Sequence, residues 1–400
     1  MTVASGRLRA GAFGVVAASW FAMMAASNVA TPLYAIYERE FGFSKAVLTL
    51  VFATYALVLA PSLLVFGQLS DRLGRRRVMA AGFATATLGL VLFAVASSLG
   101  WLFAARAVQG LAVGMISGAA AAALFELDPA PQEDRAALFS ALAQAGGSAS
   151  GPLIAGMLAE WAPARLVLPF AVFIGLGVAA TVAALAIPEP GRVRGGRLTI
   201  VRPSVPPEIR ALFARVSLTG AVVWAVAAFF LSVVPSYAAE LLDTSNLALL
   251  GAVSALMLAA SCVAQIAARR GSEYGRMQAL GLVLLALGLV ALALAFPTRS
   301  LLVLLVAGLL CGAGHGLGFL GGQAQLSLAA PPDHRGAVNA AFYTLIYLGV
   351  AVAVVSTGLL TLHFALSTAV AAFVAVVGGL AVVGALWHVR SLRDERQLLR

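Results

Sequence analysis

The stretch that decides the fold is GQLSDRLGRRR, Gly67 to Arg77. It holds Asp71, Arg72, Arg75, Arg76 and Arg77 between two apolar runs, at roughly 46–69 and 77–97, each long enough to cross a bilayer. Charge confined in this way belongs to a short loop at a membrane surface. Asp71 ends the first run, where a carboxylate can face the positive N-terminus of a neighbouring helix. The arginines suit acidic partners and anionic headgroups on the cytoplasmic side. Gly67 is expected to let two helices approach closely.

The same pattern extends outward in both directions. Hydrophobic residues make up 62% of the 400, charged residues 10%, and the mean hydropathy is +0.98. A water-soluble chain cannot hide that much apolar surface, so lipid must be the solvent for most of it. Besides the two runs above, apolar segments lie at roughly 11–36, 100–125, 135–159, 165–187, 212–238, 246–268, 277–297, 300–328, 336–361 and 364–388. The first is read as a retained helix, since no clean cleavage site follows it. With the N-terminus inside, only Arg39, Lys45, Arg165 and Arg299 fall outside. Arg106 lies within the membrane, and every other one of the 26 basic residues falls inside. This predicts an all-α membrane protein of twelve spans, both ends cytoplasmic, in a bacterial inner membrane. The net charge of +10 is spent on that asymmetry, and nucleic acid is not an expected partner.

Pro188 to Arg210 is rich in Pro, Gly and Arg and reads as a cytoplasmic linker. It separates an expected N-terminal six-helix bundle, 1–187, from a C-terminal one, 212–388, with 389–400 as a tail. The halves echo each other. Pro131 and Arg135 match Pro331 and Arg335 at an offset of 200, as Gly114 and Gly118 match Gly314 and Gly318; Pro32 and Tyr34 match Pro235 and Tyr237 at 203. A parallel repeat of this kind is expected to place the substrate path between its halves, near the midplane.

The loop from Gly67 through Asp71, Arg72 and Gly74 to Arg75 and Arg76 resembles, at every position, the hallmark of the major facilitator superfamily, Gly-x-Leu-[Ser/Ala]-Asp-Arg-x-Gly-Arg-Arg. The resemblance implies two six-helix bundles working by alternating access, with this loop as a conformational latch. Glu126, on the fourth span, is the expected acid partner, with Asp128 the alternative. The copy after the eighth span keeps Arg269, Arg270 and Arg276 but has Ala268 where the Asp would fall; Glu273 is the acid available to stand in. Arg106-x-x-Gln109-Gly110 resembles the family's second motif. Gly147, Gly151, Pro152 and Gly156 resemble its third, with Ala155 in place of one Gly. In the family that third motif accompanies antiporters, chiefly exporters. Physically, its glycines permit close contact, and Pro152 should kink the fifth span.

An intramembrane charge usually marks a substrate or ion path, and Arg106 and Gln109 share one helix face. The plainer reading of Arg106 is a hydrogen-bond anchor. The acids lie in loops or at helix ends, which leaves His315 as the buried group able to titrate near neutrality. Its plainer reading is a neutral histidine bridging helices. Arg106 and His315 are expected to face one central cavity from opposite halves. Asn28, Tyr55, Gln144, Tyr237, Gln323, Tyr343 and Tyr347 are further polar lining candidates, or equally interhelical glue. His315, His334, His363 and His388 are scattered, so neither an enzyme, a metal site nor a cofactor is expected. Cys262 and Cys311 read as buried apolar residues. The function expected is proton-coupled export, by a monomer, of a small amphipathic compound such as a drug or metabolite. Proton-coupled uptake of a small metabolite is the alternative.

Overall fold

A computed structural model of the chain describes residues 3–128, 133–191, 203–271, 273–331 and 334–398. Pro131, the arginines of linker residues 192–202 and Arg400 lie outside these. Among the described residues the elements are α1 (Val3–Ala26), α2 (Tyr34–Phe41), α3 (Lys45–Leu73), α4 (Arg75–Ala94), α5 (Leu99–Leu127), α6 (Glu133–Ala141), α7 (Gly147–Trp161) and α8 (Leu168–Ala186). They continue with α9 (Arg210–Ser232), α10 (Val234–Leu242), α11 (Leu247–Ala268), α12 (Tyr274–Thr298), α13 (Leu301–Ala329), α14 (Arg335–Leu360) and α15 (Leu366–Leu398). No strand occurs among the described residues. That is what lipid demands, because a helix satisfies its own backbone polar groups without water.

Eleven of these helical segments are long and apolar enough to cross a membrane. The remaining expected span, 135–159, is helical over 133–161 but is assembled from α6, a wide turn at Leu142–Gly146 and α7. The expected irregularity of this span therefore lies ahead of Pro152, which sits inside the regular helix α7. The helices are apolar on their outer faces as well as inside: Val182, Leu302 and Val376 are each more than half exposed. A soluble bundle would present polar residues there.

Two expected spans are broken. Residues 11–36 were expected to form one helix, but α1 stops at Ala26 and the chain takes tight turns through 27–33 before α2. The Ser27 hydroxyl donates to Met23 O (2.9 Å) and Asn28 Nδ2 to Met24 O (3.1 Å). Pro32 brings no N–H, and Thr31 before it is biased away from helical torsions. In the second half only Val233 separates α9 from α10, which carries Pro235 in its first turn. At the far end α15 runs on to Leu398, so residues 389–398 continue a helix and do not form a separate tail.

The chain divides into two units, one of residues 1–43 and 54–200, the other of 44–53 and 201–400. In unit 1, α4 lies against α5 and α8, and α1 against α5, α7 and α8. In unit 2, α12 lies against α13 and α15, and α13 and α14 against α9. The opening turns of α3 belong to unit 2, where Lys45 pairs with Glu240 and Thr49 abuts Gly358.

Backbone packing gives the true register of the repeat. A Cβ on Gly89 would meet Ala105 O at 3.5 Å and Gln109 Cγ at 2.9 Å; one on Gly288 would meet Ala307 O at 3.1 Å and Cys311 Sγ at 2.6 Å. Likewise Gly110 sits on Tyr55 O and Gly312 on Met257 O, while Gly114 meets Ser62 and Leu63 and Gly316 meets Ser261 and Ala264. Helix α13 therefore follows α5 at an offset of 202, and α12 follows α4 at 199. The sequence match of Gly114 and Gly118 to Gly314 and Gly318 is off by two residues. Tyr37 donates to Phe93 O (2.9 Å) as Tyr237 donates to Leu292 O (2.8 Å), so the counterpart of Tyr237 is Tyr37 and not Tyr34.

Candidate functional site

Unit 1 gathers the charged loop into one cluster. Gly74, at φ 96°, takes a torsion that only glycine adopts without strain, and it turns the chain sharply from α3 into α4. The turn brings Arg75 between two acids: it is ion-paired to Asp71, and its Nη2 lies 3.3 Å from Glu126 Oε1 on α5. Arg75 Nη1 also donates to Ser70 Oγ at 2.7 Å. Glu126 thus lies beside the arginine, and Asp128 is buried at the C-terminal end of α5. Arg72 is half-buried beside them.

A third acid completes this cluster and escaped the sequence reading. Glu189 Oε1 accepts the N–H of Arg76 at 3.3 Å, in the first turn of α4. A Cβ on Gly74 would lie 2.6 Å from Glu189 Oε2. A Cβ on Gly191 would strike the Glu126 carboxylate in the same way. The signal was an acid in a Pro-Glu-Pro-Gly stretch, which reads as linker; only the fold returns it to the N-terminus of α4, where negative charge is favoured. Gly67 lies where α3 meets α5: its Cα is 3.5 Å from the place a Cβ on Gly118 would take, though a Cβ on Gly67 itself would meet nothing within 4 Å; the tighter contacts fall on Gly110 and Gly114.

Arg106 is 1% exposed and held within unit 1. It hydrogen-bonds to the Tyr34 hydroxyl, to Ser27 O at 3.0 Å and to Gln109 Oε1 at 3.0 Å. Its guanidinium also lies 5.3 Å from the Tyr34 ring centre and 5.7 Å from that of Tyr55. The carbonyl it takes from Ser27 is one the broken α1–α2 segment exposes. Arg106, Gln109, Tyr34 and Asn28 therefore meet at the break, with Asn28 bonded back to α1. This is the anchor reading of Arg106. Tyr34 was missed as its partner because two residues 72 apart in sequence carry no shared local pattern.

The Gly147–Gly156 segment lies on α1 at backbone distance. A Cβ on Gly147 would lie 2.5 Å from Phe21 O, and one on Gly151 would collide with Ala25 O. Pro152, Ala155 and Gly156 are buried beside them.

Unit 2 holds His315, 1% exposed, inside an aromatic group. Its Nδ1 is 2.7 Å from Ser261 Oγ on α11, which also accepts from Gln265 Nε2 at 3.2 Å. Trp224 on α9 stands edge-on to His315 with ring centres 5.2 Å apart, and to Phe319 at 5.4 Å. Gln323 donates to the Tyr343 hydroxyl, and Tyr343 stacks on Tyr347 at 6.3 Å. His315, Gln323 and Tyr343 are thus brought to one region, while Tyr237 is not: its hydroxyl is committed to the α12 backbone. Trp224 and Ser261 went unnoticed because a lone Trp or Ser in an apolar run carries no spacing signal. Arg106 and His315 fall in different units. By the packing register the counterpart of Arg106 is Gly308, and that of His315 is Val113. Glu273, the proposed stand-in in the decayed loop, is paired with Arg276 at the start of α12.

Two repeated helical bundles, apolar outer faces and polar side chains held inside each bundle define a multi-pass membrane protein. The chain belongs to the Major Facilitator Superfamily, whose family model matches residues 15–354 and 271–398. Among curated proteins it is similar to the cephamycin export protein CmcT of Amycolatopsis lactamdurans, 34% identical over 38% of this chain and 32% of that protein. It is similar also to the puromycin resistance protein pur8 of Streptomyces alboniger, 34% identical over 34% of this chain and 26% of that one. A third is the putative multidrug resistance protein MdtD of Serratia proteamaculans, 29% identical over 43% of this chain and 35% of that one. In these alignments the chain spans about a third or less of each relative's length.

Proposed function

We propose that this protein exports a small amphipathic compound, a drug, antibiotic or metabolite, in exchange for protons by alternating access. The observation that carries the reading is the backbone contact of Gly147 and Gly151 with α1, at the segment that resembles the antiporter motif. Two relatives are named for export of cephamycin and resistance to puromycin, which points the same way. The loop cluster of Asp71, Arg75, Glu126 and Glu189 is the conformational latch of this reading. Its coupling residue is His315. The excess of basic residues on one side supports cytoplasmic N- and C-termini in a bacterial inner membrane.

The test is accumulation of a compound panel in cells stripped of their main pumps, with and without the protein. Lower accumulation of at least one amphipathic compound is expected, abolished by a protonophore. Raised accumulation would establish uptake and overturn export. Export by His315→Gln that stays fully proton-driven from pH 6 to 8 would move coupling elsewhere. A cytoplasm-only reporter fused to Arg400 should be active; a silent one beside an active periplasmic reporter would invert the topology.

A further inference from the structure

The aromatic group of unit 2 contains more hydrogen-bond donors than it uses. Ser261 Oγ accepts from Gln265 Nε2 and lies 2.7 Å from His315 Nδ1; when the serine donates there, Nδ1 is the acceptor. In the neutral ring the proton then resides on Nε2. Among the described residues Nε2 of His315 has no partner although it is buried, and neither has the buried indole N–H of Trp224. The Tyr343 hydroxyl accepts from Gln323, which leaves its own proton to donate. In that tautomer three neutral donors belong to one set of rings, with Trp224 edge-on to His315 and Phe319 and 6.5 Å from Tyr347.

A buried donor without a partner is costly, so a ligand that supplies an acceptor gains what the protein alone lacks. The rings offer flat apolar surface for stacking. The charge balance points the same way. The described acids of unit 2 are Glu208, Glu240, Asp243, Glu273, Asp394 and Glu395, and none lies on the stretches of α9, α11, α13 and α14 that form this group. Aromatic faces can attract a cation, but the N–H edges of Trp224 and His315 oppose one.

We propose that this group is a binding subsite for flat aromatic compounds bearing an oxygen acceptor, a carbonyl or a carboxylate, and that it disfavours organic cations. The inference deepens the export reading and rests on it only for the name of substrate. Equilibrium dialysis of the full-length protein in nanodiscs tests it with four probes of matched ring: anthracene, anthraquinone, 9-anthracenecarboxylate and (9-anthracenylmethyl)ammonium. The carboxylate and the quinone should bind tightest and the ammonium weakest. Trp224→Phe and His315→Phe keep a ring and remove the N–H. Each should weaken the carboxylate and the quinone about tenfold while leaving anthracene within about twofold. Tightest binding by the ammonium, no binding by any probe, or an equal loss for anthracene would each overturn the proposal. Should a variant fail to purify as a single species, the ranking of the four probes on the unaltered protein decides. Binding in this order by a protein that exports nothing in cells would sink the export reading and leave the subsite standing.

Discussion

At the level of Arg106 the two units solve one packing problem in opposite ways. In unit 1 the segment between α1 and α2 is open through 27–33, and α5 sends in a guanidinium that takes the freed Ser27 carbonyl. In unit 2 the break between α9 and α10 is the single residue Val233, and the counterpart of Arg106 is Gly308. A Cβ there would already touch Leu256 at 3.3 Å. The charge therefore goes with the break. An arginine in lipid is expensive, and this one persists among acceptors on Tyr34, Ser27 and Gln109 and the rings of Tyr34 and Tyr55. In the aromatic group of unit 2, by contrast, the unpartnered nitrogens are those of two rings, Trp224 Nε1 and His315 Nε2. Unit 1 reads as the braced half and unit 2 as the half with binding capacity to spare.

The comparison breaks most directly at the brace itself. Arg106→Leu should leave the Ser27 carbonyl and the Tyr34 hydroxyl without their partner inside the bilayer. About 3 kcal/mol of stability and nearly all transport should be lost, read by thermal unfolding in detergent and by vesicle uptake. Wild-type stability for this variant would show that the open segment holds itself.

The next effect should be equal in the two units, because it tests the register they share. Gly114→Val and Gly316→Val each force a branched side chain onto the facing helix, α3 or α11, and each should cost about 1–3 kcal/mol. Gly67→Ala, whose Cβ would meet nothing within 4 Å, should cost almost nothing. A large penalty at Gly67 together with none at Gly316 would restore the alignment that the sequence suggested.

The charged loops should differ in transport and hardly in stability. Asp71→Asn or Glu126→Gln removes one arm of a partly exposed cluster, worth up to about 1 kcal/mol. Transport should nonetheless fall severalfold with membrane insertion intact. Glu273→Gln in the unit 2 loop, where the acid merely pairs with Arg276 three residues on, should transport normally. Normal transport by well-expressed Asp71→Asn would remove the latch from the mechanism.

How much of this was legible in advance follows from the range of each signal. Spans announce themselves because about twenty consecutive residues share one property. The loop motif was legible down to the Arg75–Glu126 pair because its residues are contiguous and its partner sits at a helix end. Glu189 was hidden by a composition that spells linker, and Tyr34 by sequence distance. The repeat was seen but set at the wrong register. Gly is abundant in α13, so matching Gly to Gly at a constant offset finds false partners; only the backbone oxygens that each Gly lies against tell 200 from 202. The break at 27–33 was concealed by apolar residues that would suit a helix equally well. In α13 the run Gly314-His315-Gly316 suggested a special histidine, yet its aromatic neighbours come from α9 and α14, which no local pattern joins.

The smallest expected effect is also the cleanest check on the repeat. Tyr37 and Tyr237 each stand early in the short helix after a break, and each donates its hydroxyl to a backbone carbonyl of the helix that packs beside it, Phe93 O or Leu292 O. Both carbonyls lie toward the C-terminal ends of α4 and α12. Removing the hydroxyl deletes one neutral hydrogen bond and keeps the ring, so Tyr37→Phe and Tyr237→Phe should each cost about 1 kcal/mol. The sites are far apart in sequence and share no partner, so the double variant should lose the sum. Transport should be close to wild type in all three, since neither hydroxyl is available to a substrate. Tyr34→Phe should stand apart, because its hydroxyl serves a charged partner, and such bonds are worth about twice as much. If Tyr34→Phe instead matched Tyr237→Phe in both stability and transport, with Tyr37→Phe silent, the offset of 203 would be right and Arg106 would lose its claim to brace the break.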